Sequence, residues 1–352
     1  MGPRHMKTRG RQSGAALLLA LLIMTLVATL AAGMVWLQWR GIEVEAAERA
    51  RTQADWLLNA SLDWGNLILK SSIRNGQTED DLGQPWATPL AETKLSSFLS
   101  ADGNHQDDTG PEAYLSGQIT DAQSKYNLYN LVAGNQGKNV EIQRLQILFS
   151  AIGVSQDVAS TIAAGLRASY SAQQLQKDQS GQPDATNAVV MPIEVGDLAW
   201  YGVDPKVIKT ITPFVQLIPI APGAAATGIN ANTAPAEVIM AGCGMPAISR
   251  AQAEQAILKR QSAPFTDDKS VLAGLGIAAA TPDMCAQPSG TGDSEPKSIL
   301  SVKSQYFEIY GQLRYEQHVI RERSVVYRKD PFSPVQVLRR ERVPPDAAAT
   351  AA

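Results

Sequence analysis

Residues 15–39, "AALLLALLIMTLVATLAAGMVWLQW", hold no Asp, Glu, Lys or Arg. As an α-helix at about 1.5 Å per residue, this run of about 25 residues reaches about 37 Å, against about 30 Å for the hydrocarbon layer of a bilayer. A chain that begins like this must give the run lipid or other protein to lie against. The run is longer than the apolar region of a secretory signal, and no A-x-A cleavage pattern follows it in a useful place. Arg4, Lys7, Arg9 and Arg11 precede it, whereas Glu43, Glu45 and Glu48 outweigh Arg40 just after it. The positive-inside rule then puts the N-terminus in the cytoplasm and the bulk of the chain on the far side of the membrane.

The helix is expected to continue past the interface. In "GIEVEAAERARTQADWLLNASLDWGNLILKSSIRNG" (residues 41–76), Val44, Ala47, Ala54, Leu57, Leu58 and Leu62 keep helical spacing with charges between them. No proline interrupts residues 15–75, and Asn75-Gly76 supplies a stop. This predicts one helix of about 55–60 residues, half in lipid and half amphipathic. The plainer reading is an anchor followed by a linker helix.

Farther on, Leu115, Gly117, Ile119 and Asp121 suggest a strand entering a turn. Residues 303–330 alternate with period two, which predicts antiparallel strands with a turn near residues 315–318. Between them, residues 131–280 read as a helical block with a recurring glycine–hydrophobic turn: "AIGVSQ", "YGVDPK", "GCGMPA" and "LAGLGI". Glycine supplies the left-handed turn that lets two helices meet closely, the grammar of a helix-hairpin-helix or SAM-like bundle. In "NANTAPAEVI", Asn232 or Thr233 is expected to cap a helix, with Pro235 in its first turn.

Helix-hairpin-helix turns also bind DNA, through backbone amides and lysines. Here basic and acidic residues balance along the block and the net charge of the chain is −3, so a DNA receptor tethered to the membrane is the alternative rather than the main reading. Three histidines and no nucleophile–base motif argue against an anchored enzyme.

The opening segment resembles a type IV prepilin signal: a short basic leader, Gly14, an apolar start and a long spinal helix. The resemblance implies cleavage after Gly14 by a prepilin peptidase and N-methylation of Ala15. The chain departs from the usual pattern at the fifth mature position, where most pilins and pseudopilins carry Glu and this one has Leu19. A carboxylate in lipid costs about 2.5–3.5 kcal/mol on insertion scales, tolerated where it meets a neighbouring subunit's amine. A subunit with Leu19 lacks that carboxylate and fits a fibre end, with no earlier subunit to pair with.

With "DDLGQPWATPL", "DAQSKYNLYNL", "YGVDPKVIKTITPFV", "INANTAPAEVI" and "SVKSQYFEIYGQLR", the chain resembles the minor pseudopilins of type II secretion known as the general secretion pathway protein K family. The resemblance implies an α+β, type IV pilin-like fold with a large inserted helical domain. The expected organisation is a leader at 1–14, a transmembrane helix at 15–39, and a pilin-like α/β domain from 40–130 and 281–330. The helical insertion covers 131–280, in SAM-like halves at 131–220 and 228–280, and a disordered tail covers 331–352.

The implied role is non-enzymatic: capping and initiating the pseudopilus tip from the inner membrane for export of folded proteins. Implied partners are minor pseudopilins of the I and J types, other pseudopilins, the prepilin peptidase and the inner-membrane assembly platform, with no nucleic acid.

Cys243 and Cys285, on the oxidising side of the anchor, are expected to form a disulfide contributing at most about 4 kcal/mol; two separate buried thiols are the alternative. Family members bind calcium, which takes several oxygen ligands from a flexible loop. Asp293 and Glu295, in the stretch at 289–298 just after Cys285, are the preferred ligands because the disulfide would hold that segment; a solvated turn is the alternative reading of each loop. Asp102, Asn104, Asp107 and Asp108 offer a second loop, and neither has EF-hand spacing.

Overall fold

The computed structural model of the chain describes residues 13–74, 79–94, 113–133, 138–178, 190–220, 226–244, 248–277, 285, 299–315, 318–330 and 333–344. Two units are distinguished, residues 1–57 and 58–352. The first consists of the opening part of α1 (Ser13–Arg74), a helix of 62 residues. Within it, the hydroxyls of Thr25 and Thr29 donate to the carbonyls of Leu22 (3.0 Å) and Leu26 (2.8 Å), which removes their polarity from the apolar surface.

The second unit takes the end of α1 and then β1 (Leu90–Lys94), β2 (Ala113–Asp121) and the two-residue β3 (Tyr126–Asn127). Next come α2 (Lys138–Ala151), α3 (Gln156–Asp178), α4 (Pro205–Ile211), β4 (Val215–Gln216) and β5 (Ile229–Asn230). They are followed by α5 (Ala236–Cys243), α6 (Arg250–Ser262), α7 (Asp268–Gly274) and β6 (Leu300–Ser301). The chain closes with β7 (Tyr306–Tyr315), β8 (His318–Tyr327) and β9 (Gln336–Arg342). Strands β1, β2, β7, β8 and β9 form one antiparallel sheet in that order, with Ile119 opposite Ile309 and Ile309 opposite Ser324.

Period-two alternation sends Ile119, Phe307 and Ile309 to one face, where they bury Leu62 and Leu69 of α1 together with Trp86. Glycine permits the close approach. A Cβ on Gly65 would lie 3.1 Å from Ile309, and one on Gly311 would lie 3.2 Å from Leu58.

The helices share a second core that runs from Tyr126 to Val302. The four anticipated glycine turns are present, with Gly153, Gly202, Gly244 and Gly276 at φ +74°, +80°, +80° and +70°. In three of them the next residue turns its N–H back five residues: Val154 to Phe149, Val203 to Leu198 and Ile277 to Leu272. These are Schellman ends, and their apolar residues pack into the core. Two parallel pairings, β3 with β4 and β5 with β6, tie the ends of the helical segments together.

Three expectations are corrected. The shared core begins before residue 131 and takes in Cys285, Ile299, Leu300 and Val302, so the segment after residue 280 serves the helical domain before it enters the sheet. Residues 336–342, expected in a disordered tail at 331–352, form the edge strand β9. There Arg323 pairs with Glu341, and Arg340 reaches the hydroxyl of Ser324 (3.0 Å) and the side chain of Asn59. Finally, α5 starts behind Pro235 without a side-chain cap, because Asn232 and Thr233 are engaged elsewhere.

Candidate functional site: an apolar spine and a buried polar junction

Gly14, Ala15 and Leu19 all lie in the first turns of α1. The apolar side chains there face outward, with Leu19 64% and Leu18 70% exposed, and nothing stands within 4 Å of the position a Cβ would take on Gly14. The helix is long and apolar enough to cross a membrane. Trp36 and Trp39 close the uncharged run, and the Arg40 guanidinium stands 5.6 Å from the Trp36 ring centre.

In the second unit, polar residues from distant parts of the chain converge in the interior. Asp121, at the end of β2, accepts at Oδ2 from the hydroxyls of Thr233 (2.6 Å) and Ser304 (2.6 Å) and from the amide of Asn230 (2.9 Å). Its Oδ1 accepts from the Gln123 backbone at 2.7 Å. Burial pushes the Asp121 carboxyl up to about 6, against the lowering effect of those donors, and the nearby Asp80 charge adds to the rise.

Beside it, Arg328 donates to Asp80 Oδ1 (2.6 Å), the Ser304 carbonyl (2.9 Å) and the Leu69 carbonyl of α1 (3.0 Å). Its guanidinium carbon lies 4.5 Å from the Phe307 ring, which in turn meets Trp86 edge-on at 5.2 Å. Asn230 also donates to the Asp80 carbonyl at 2.9 Å. The cluster therefore fastens α1, the sheet and the helical core to one another, and every charge in it is closed to solvent.

The sequence motifs meet here. Asp80 comes from "DDLGQPWATPL", Asp121 and Gln123 from "DAQSKYNLYNL", Asn230 and Thr233 from "INANTAPAEVI", and Ser304 from "SVKSQYFEIYGQLR". The sequence marked Asp121 as a turn residue and Thr233 as a candidate helix cap, and did not single the others out. Their shared signal is a polar residue at the edge of an apolar run, a pattern that solvated turns share. Asn127 and Asn130 do similar work, pairing their side-chain amides with the backbone of Ile218 and Thr227.

Cys243 at the end of α5 is bonded to Cys285, with a Cα–Cα distance of 4.5 Å. Asp293 and Glu295, and with them Asp102, Asn104, Asp107 and Asp108, lie outside the described residues. Among the described residues no group of three or more His, Cys, Asp or Glu is gathered as a metal site.

A shallow apolar groove of about 230 Å³ opens beside α1, between Trp64 and Ile68 on the helix and Pro85, Pro89 and Leu90 of the segment leading into β1. Trp64 and Leu67 are 40% and 60% exposed, whereas Leu62 and Leu69 are buried on the sheet side of the same helix.

A family model described as type II secretion system (T2SS), protein K, matches residues 229–289. The type II secretion system protein K of Pectobacterium carotovorum subsp. carotovorum is 23% identical over 348 residues, covering 95% of this chain and 97% of that protein. The protein of the same name from Pseudomonas aeruginosa is 24% identical over 248 residues, covering 66% of this chain and 68% of that one. The fold is similar to that of a chain in the crystal structure of the GspK-GspI-GspJ complex from the enterotoxigenic Escherichia coli type 2 secretion system, with a TM-score of 0.58, 19% identity, and coverage of 85% of this chain and 98% of that one. The matched segment holds both cysteines and the "INANTAPAEVI" stretch that feeds the buried junction, and the longer alignment runs through the spine and the sheet; the chain is similar to the type II secretion system protein K family along nearly its whole length.

Proposed function

We propose that this minor pseudopilin caps and initiates the pseudopilus tip, supporting export of folded proteins across the outer membrane. The observation that carries the reading is Leu19: it stands exposed on an uninterrupted apolar helix where a pseudopilin inside the fibre carries Glu. Such a subunit can offer its own amine to a neighbour's carboxylate but makes no demand for a subunit before it. The bulk of the helical domain agrees with a terminal position.

On this reading α1 crosses the inner membrane once, with the basic leader in the cytoplasm, and the leader is removed after Gly14. The partners are I- and J-type minor pseudopilins, in line with the complex that contains the similar fold. The exposed Trp64 and Leu67 and the adjoining groove offer them an apolar surface. The proposed role requires no catalysis by this chain. Calcium, as the resemblance implies, is held by the loop bearing Asp293 and Glu295, beyond the disulfide at Cys285. Adding calcium to chelator-treated protein is expected to raise the melting temperature, and D293N/E295Q to abolish the rise.

The alternative DNA receptor is not favoured. The helix-starting amides after the first three glycine turns already have acceptors within the chain: Ser155 for Asp157, Asp204 for Lys206 and Ser249 for Gln252. Asp157 and Asp204, at the first two of these starts, repel phosphate.

Co-purification tests the proposal. The region from residue 41 onward is expected to form a stoichiometric complex with the corresponding regions of the I- and J-type subunits, weakened at least about tenfold by W64S/L67S. Absence of any complex contradicts it.

A further inference from the structure

Both tryptophans of the uncharged run lie in its last turns, at positions 36 and 39, and no Trp, Tyr or Phe precedes them in the chain. Spaced three apart on α1, they share a face, and both rings are more than half exposed. Arg40, the first charged residue after the run, holds its guanidinium over Trp36. Amphipathic rings beside a cation suit the headgroup layer of a bilayer, where ring bodies lie among acyl chains and polar edges meet water. Glu43, Glu45 and Glu48 then mark the aqueous side.

The spacing to the other end of the helix has a consequence. Residue 36 is 22 positions beyond residue 14, about 33 Å along an α-helix and close to one hydrocarbon thickness. With the tryptophan pair held in one headgroup layer, the Gly14–Ala15 peptide falls at the opposite one. The aromatic belt is one-sided, so it alone among the aromatic side chains fixes the helix's depth.

We propose that Trp36 and Trp39 are positioning residues for leader removal: they anchor α1 in the outer headgroup layer and so present the Gly14–Ala15 bond at the inner membrane surface. The inference rests on the cleavage reading above. The step itself is hydrolysis. Water adds across the amide, leaving a carboxylate on Gly14 in the released leader and a free amine on Ala15, with catalysis supplied by the peptidase.

The test uses the full chain in vesicles containing the peptidase, with three proteins: wild type, W36L/W39L and W36Y/W39Y. The leucine pair keeps the span apolar but removes its interfacial preference, whereas tyrosine retains that preference. Brominated lipids report depth, because tryptophans far from the bilayer are not quenched. In the wild type, bromines near the headgroups are expected to quench more than bromines deep in the acyl chains, and W36L/W39L is expected to lose the quenched component.

Cleavage of W36L/W39L is expected to slow at least about tenfold, as misplacement of a reacting bond does, with W36Y/W39Y near the wild-type rate. Wild-type rates for the leucine pair, with membrane insertion verified by alkaline extraction, overturn the positioning role alone. A wild-type chain left intact between residues 14 and 15 overturns the cleavage reading and the positioning role together, even where the shallow quenching persists.

Discussion

Asn230 donates its side-chain amide to Oδ2 of Asp121 at 2.9 Å although 109 residues separate them. One lies where β5 leads into α5, the other where β2 leaves the sheet. Asn230 also accepts the Asn232 backbone N–H at 2.9 Å and reaches Ser304 Oγ at 3.0 Å, so a single side chain orders both sides of the contact. Asn230→Ala takes a hydrogen-bond partner from each of Asp80, Asp121, Asn232 and Ser304 in the buried junction. It is expected to lower stability by about 2–4 kcal/mol, read from urea unfolding of the region from residue 41 onward.

The neighbouring ion pair makes a sharper test. Arg328 and Asp80 are both buried and bonded at 2.6 Å. Arg328→Met strands a buried carboxylate and is expected to cost about 3–5 kcal/mol. The double variant D80N/R328M is expected to be more stable than R328M, because it removes the uncompensated charge as well. A double-mutant cycle on unfolding free energies checks this, and strictly additive losses contradict it.

Asp121 gives the junction a pH signature. Its carboxyl is raised to about 6 in the fold from 3.8, so between those values the native state holds the proton more tightly than the unfolded chain does. Stability from this group is therefore fully present below about pH 3.8 and is lost as pH rises through about 6. From pH 7 to 5.5 the wild type is expected to gain about 1 kcal/mol through Asp121, and Asp121→Asn to lack that gain. Unfolding titrations at the two pH values, compared between the proteins, isolate it from other titrating groups.

The glycine turns separate two kinds of constraint. Gly202 sits at φ +80° with open space around it, so Gly202→Ala is expected to cost only backbone strain, about 1–2 kcal/mol. Gly165 lies in the middle of α3, where a Cβ would fall 2.5 Å from the Tyr201 ring. Gly165→Ala is expected to cost about 1–3 kcal/mol by overpacking and to weaken the Ser169–Tyr201 hydroxyl contact, 2.7 Å in the wild type. Thermal unfolding gives both losses, and the Tyr201 environment, read by near-ultraviolet dichroism, is expected to change only in the second.

Periodicity made much of this fold legible. The spine, β2, β7, β8 and the glycine turns each repeat a local pattern that one kind of backbone satisfies. The junction was not legible, because Asp80, Asp121, Asn230, Ser304 and Arg328 lie far apart in sequence and no local rule distinguishes a buried polar residue from a turn residue. Asn232 illustrates the difficulty. It has the chemistry of a helix cap, yet its amide pairs with both the N–H and the carbonyl of Phe265. β9 escaped notice because "LRRER" has the composition of a solvated tail. Arg340 finds its acceptors only once β8 offers an edge and α1 brings Asn59 alongside, and Arg339 turns to the carbonyl of Ile193.

The central claim is that a spine without the fifth-position carboxylate belongs at the end of the fibre. Electron microscopy of assembled pseudopili carrying a label on the helical domain tests it most directly. A single label at one end of each fibre is the predicted result; labels spaced along the shaft contradict the account.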